Sequence, residues 1–130
     1  MKRNNQVIYY DDLDLIENDV IIKVTHDDSN IRILTDKHNI RFYHEQECCE
    51  DVYIELMSPL ETLNGVIASC EIIEIEEKYN GDEHATSTWL KIATEKGYFT
   101  AIWRGESNGY YSESINYIIN PRREEDNYEN

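Results

Sequence analysis

The 130 residues carry 27 Asp and Glu against 12 Lys and Arg, a formal charge of -15, and 40% of them are hydrophobic. That apolar content suffices for one core and not for two independent ones, and the charge excludes a protein that coats nucleic acid, because broad contact with a phosphate backbone would be repulsive. No run resembles a signal sequence or approaches the ~20 apolar residues of a membrane span, so a cytoplasmic protein without a membrane partner is expected. The sequence divides into one compact domain over 1–120 and a solvated acidic tail over 121–130.

From Val20 onward the segments IIKVTH (21–26), NIRILT (30–35) and NIRFYHE (39–45) are rich in β-branched and aromatic residues with partial alternation, the pattern of half-buried strands. Their short polar connectors predict consecutive antiparallel hairpins. DVYIELM (51–57) predicts a further strand. SPLETLNG (58–65) offers Ser58 as an N-cap, Pro59 at the first helical position and Gly65 as a stop, which predicts one or two helical turns.

A second series follows in VIASCEIIEIEE (66–77), TWLKIATE (88–95), YFTAIWR (98–104) and SESINYII (112–119), with a polar, mobile loop expected over 78–87. NDVIIKV (18–24) aligns with NGVIASC (64–70), and NIRILTDKHNIRFYHE (30–45) with WLKIATEKGYFTAIWR (89–104). The expected fold is therefore α+β, mainly antiparallel β, built as a pseudo-duplicated unit of a short helix and three strands. HEQECCE would end the first unit and RGESNGYYSES the second. Exposed edges of such a sheet could pair two copies across a twofold axis as a homodimer.

Three chemistries compete for HEQECCE. Consecutive Cys48 and Cys49 on a strand would point to opposite faces, one buried and one accessible, and neither H-E-x-x-H nor paired C-x-x-C spacing is present, so no metal site is expected. A Cys–His nucleophile is opposed by Glu45, Glu47, Glu50 and Asp51, which disfavour a thiolate. Reduced thiols in a structural role are the expectation, and neither a catalytic residue nor a cofactor is assigned.

In WRGESNGYYSES the Asn108-Gly109 pair marks a turn. Trp103, Tyr110 and Tyr111 could stack on a planar base, Arg104 could pair with a phosphate, and Ser107 and Asn108 could add hydrogen bonds. His44, Gln46 and Glu50 would orient such a ligand from the other segment. A plain hairpin accounts for the same residues. By strand parity Phe99, Ala101 and Trp103 face the core, which leaves Arg104 on the polar face beside Glu106 and Glu113.

The segments FYHEQECCEDVYIE and TWLKIATEKGYFTAIWRGESNGYYSES together resemble an uncharacterised family of small phage and prophage proteins with the pattern H-E-Q-D-C-C-E and the ending S-N-G-Y-Y-S-E-S-V. Here Glu47 replaces the Asp and Ile115 the Val. The resemblance implies a mobile-element origin and brings no activity with it. By analogy with other small phage accessory proteins, the expectation is a non-enzymatic anti-defence inhibitor in the host cytoplasm that sequesters a small nucleotide-like immune signal. The alternative is an acidic DNA mimic, of anti-CRISPR or anti-restriction type, whose partner is a host defence protein such as a nuclease or surveillance complex. An enzyme using His44 with Cys48 or Glu50 ranks last, since no oxyanion donor set or complete metal shell accompanies them.

Overall fold

The computed structural model describes residues 3–8, 11–78, 84–107 and 112–123. Among them are nine strands: β1 (Arg3–Ile8), β2 (Val20–His26), β3 (Ile31–Thr35), β4 (His38–Tyr43), β5 (Asp51–Met57), β6 (Gly65–Lys78), β7 (His84–Thr94), β8 (Gly97–Ser107) and β9 (Asn116–Pro121). All pairings are antiparallel, in the order β5-β8-β7-β6-β2-β3-β4-β9, with β1 on β6. The α component expected from the sequence reduces to two short 3-10 helices, Asp11–Ile16 and Leu60–Thr62. Ser58 does not cap the second one. Its hydroxyl accepts the Thr100 N–H at 3.1 Å, which ties it to β8 instead.

Alternation builds the core. Ile31 and Ile33 of β3 with Ile40 and Phe42 of β4 turn inward from one half of the sheet, and Leu90, Ile92, Phe99, Ala101 and Trp103 from the other, into one cluster. Each fully buried large side chain contributes roughly 1.5–3 kcal/mol. Trp103 is 1% exposed, as strand parity requires, and its Nε1–H donates to Ser29 O at 2.9 Å. That bond, with Ile54 N–H to Asp28 O at 2.8 Å, fastens the β8–β5 edge to the β2–β3 turn.

The strand order reads the same from either end when β2 is exchanged with β6, β3 with β7, β4 with β8 and β5 with β9. Local bonding repeats too. Thr35 Oγ1 accepts the N–H of Lys37 in the β3–β4 turn, as Thr94 Oγ1 accepts that of Lys96 in the β7–β8 turn. Asp36 N–H reaches Val20 O, and Glu95 N–H reaches Val66 O. The polar loop expected over 78–87 is shorter than that, because His84–Ser87 are held between β6 and β8; residues 79–83 lie outside the described residues, as do 124–130 of the expected tail.

Candidate functional site: two crossing connections

After β4 the chain does not return along its own half. Residues 44–50 cross to β5, which pairs with β8, while the chain after β8 crosses to β9, which pairs with β4. The two connections meet through their described parts, 44–50 of the HEQECCE segment and 112–115 at the end of the ESNGYYSES segment. His44 Nδ1 lies 2.7 Å from Ser114 O, Ser112 N–H donates to Glu47 Oε1 at 3.1 Å, and Glu45 N–H reaches Asn116 Oδ1 at 3.4 Å.

Glu50 is the hub of the first connection. It is 3% exposed; Oε2 accepts His44 Nε2–H at 2.7 Å and Glu47 N–H at 2.8 Å, and Oε1 accepts Cys48 N–H at 2.9 Å. Burial pushes its carboxyl up, but the Glu47 amide, the His44 ring and the Cys48 amide outweigh it and hold the group down at about 2. Both ring nitrogens of His44 thus lie against oxygen atoms, Nδ1 on Ser114 O and Nε2 on Glu50. Gln46 Nε2 donates to Glu50 O at 2.7 Å and to Cys48 O at 3.2 Å.

Glu113 anchors the second connection. It is 5% exposed, accepts from His84 Nδ1 at 2.9 Å, and takes a hydrogen bond from the Ser107 hydroxyl. Gly105 makes room for it, since a Cβ there would lie 2.7 Å from Glu113 Cβ. Glu74 of β6 belongs to the same neighbourhood: burial and the charge of Glu76 raise its carboxyl above the ordinary value. Glu113 thus holds His84 through Oε1 and the Ser107 hydroxyl through Oε2.

The sequence-predicted ligand residues thus separate into three groups. His44, Gln46 and Glu50 bond to one another within the first connection, His44 alone reaching Ser114 O of the second, while Ser107 bonds Glu113 of its own segment. Trp103 lies in the core, and Arg104 pairs with Glu106 at 3.3 Å on the polar face. Asn108, Tyr110 and Tyr111 lie outside the described residues. Cys48 and Cys49 depart from expectation: both are exposed and joined in a disulfide. Strand alternation does not apply to them, because they occupy a bend between Tyr43 and Asp51. Cys70 is the free thiol, pushed up to about 12 by burial and the charge of Glu71.

Sequence reasoning missed the roles of His84 and Glu113, and also a buried group around Asp19, whose Oδ2 meets Thr35 Oγ1 and His38 Nδ1 at 2.7 Å each. The Thr35–His38 turn was legible as a hairpin, but its partner Asp19 was not. Among the described residues no group of three His, Cys, Asp or Glu could hold a metal ion, and no helix is long and apolar enough to cross a membrane.

No curated protein and no solved structure shows significant similarity to this chain. A family model does match residues 13–117, spanning both crossing connections; it describes a domain of unknown function and indicates no enzymatic family. The chain belongs to that family, Domain of unknown function (DUF7448).

Proposed function

We propose that this chain is a non-enzymatic binding protein of phage or prophage origin that counters a host defence by presenting carboxylates to a basic surface of a host nuclease or surveillance complex. The observation that supports this reading is a band of exposed acids beside edge strand β5. Glu45 and Glu47 lead into the strand, Asp51 opens it opposite Glu106 of β8, and Glu55 sits farther along it near Asp27 and Asp28. Carboxylates spaced on a rigid sheet can occupy a groove that otherwise receives phosphates. The palindromic strand order and the repeated Thr turns also support an internal duplication of the fold.

The test is capture from host lysate with the tagged protein as bait. A stoichiometric protein partner that high salt releases is expected; recovery of a small molecule on heating, with no protein, would overturn the reading.

Sequestration of a nucleotide-like signal is the second reading, favoured by the meeting of the two motif segments through His44 with Ser114 and Glu47 with Ser112. Against it stands the engagement of His44, Gln46, Glu50 and Ser107 within the protein. Titration calorimetry with cyclic and linear nucleotides decides it, and heat that disappears in Arg104→Ala would favour it over mimicry.

A further inference from the structure

Between the β2–β3 turn and β5 the surface opens into a cavity of about 450 Å³, lined by His26, Asp27, Asp28, Tyr53, Ile54, Glu55 and Met57. Ligand pockets run to roughly 300–1,000 Å³, so this one has room for a long side chain. Its wall is apolar and aromatic through Tyr53, Ile54 and Met57; its rim carries three carboxylates and neither Lys nor Arg.

The register shift between Ile54 and Leu56 marks a bulge at Glu55. Tyr53 pairs with Arg104 and Ile54 with Trp103, so these two alternate, and the cavity lies against the edge of β5, where residues 53, 54, 55 and 57 all line it. The bulge inserts Glu55 as an extra residue on this edge, and bulges re-aim the side chains that they carry. The opposite wall is held in place from behind. Asp27 Oδ1 accepts the N–H groups of Ser29 and Asn30 at 3.0 and 2.8 Å, and Asn30 Oδ1 takes two bonds from Arg41. Asp27 is thereby committed to its turn, while the carboxylates of Asp28 and Glu55 have no hydrogen-bond or ion-pair partner among the described residues.

We propose that this cavity receives an arginine side chain from a basic segment of a protein partner, with the guanidinium against the Tyr53 ring and its donors on Asp28 and Glu55. Arginine suits the site better than lysine, since its planar fork stacks on an aromatic face and bonds two carboxylates at once. The inference rests on the reading of the chain as a binder of a basic host protein and names the contact that such a partner would make.

The experiment is titration of the full chain with an end-blocked peptide of one arginine flanked by lysine, glycine and serine, against the same peptide with citrulline, a neutral isostere, at the arginine position. Binding should weaken about tenfold or more with citrulline, the loss of at least one charge-assisted hydrogen bond. Asp28→Asn with Glu55→Gln should weaken the arginine peptide by a similar factor and leave the citrulline peptide unchanged. Glu17→Gln, an exposed acid on another element, should change neither.

Equal binding of the two peptides by the wild-type chain would overturn the proposal, as would no binding of either, or equal affinity for free arginine amide, which would mean a small-cation site. If capture from lysate still yields a salt-sensitive protein partner and Asp28→Asn/Glu55→Gln leaves that complex unchanged, the pocket inference fails while the broader reading stands. If no partner is captured, the broader reading fails.

Discussion

Gly105→Ala probes the crossing of the two connections with one carbon atom. The added Cβ would lie 2.7 Å from Glu113 Cβ, 3.2 Å from its Cγ and 3.3 Å from its carbonyl oxygen, where carbon atoms normally rest at ~3.5–4.0 Å. A Cβ cannot rotate away, so the segment carrying Glu113 must retreat by roughly the difference, about 1 Å. The 2.9 Å His84–Glu113 contact would then exceed hydrogen-bond range. Overpacking costs ~1–3 kcal/mol, and a weakened bond to a charged group up to ~1.5–3 kcal/mol more, so a loss of about 2–4 kcal/mol is expected. At ~4 °C per kcal/mol for a domain of this size, Tm should fall by about 10 °C. Calorimetry and urea titration measure it, and Glu113→Gly, which removes the opposing Cβ, should make the second substitution at least ~1 kcal/mol cheaper. A Gly105→Ala protein that melts within ~2 °C of wild type would refute the close approach.

Glu50 makes stability depend on pH in a definite direction. Its carboxyl is lowered from 4.5 to about 2 in the fold, so the unfolded chain binds the proton first and the contribution is present above 4.5 and lost as pH falls toward 2. Urea midpoints between those values should rise with pH less steeply in Glu50→Gln than in wild type; parallel profiles would remove Glu50 as the cause. Asp19→Ala should cost ~1–3 kcal/mol by leaving buried Thr35 and partly buried His38 without their acceptor, and an unchanged urea midpoint would contradict that role. Without reductant, the denatured protein should react with thiol reagent once, at Cys70, and three times after reduction; three reactive thiols without reductant would exclude the Cys48–Cys49 disulfide.

Most strands were legible because β-branched and aromatic residues alternate through 20–57 and 65–107, and the TDKH and TEKG turns punctuate them. β5 begins and ends where the residues predict it. β1 was not legible, since RNNQVI is largely polar and is a strand through its pairing with the distal half of β6. β7 reaches back into HATS because both flanking strands pair with it, so that Thr86 and Thr88 are buried despite their polarity.

The candidate site was legible as two segments and not as a set of partners. Strand order decides that His44 meets Ser114, 70 residues away, and that His84 meets Glu113. Local pattern carries no information on such pairings. The Cys48–Cys49 expectation failed for a related reason, since period-two reasoning was extended into a bend. The cavity at β5 could not be read either, because it depends on a bulge at Glu55 and on the distant β2–β3 turn.

The most direct test of the account is the salt dependence of the complex between this protein and the host partner it captures. Carboxylates that stand in for phosphates predict affinity that falls steadily as salt rises, with a shallower slope in Asp51→Asn/Glu106→Gln, where two exposed acids of the band are neutralised. Affinity that is independent of salt, or unchanged in that variant, would contradict binding through the acidic band.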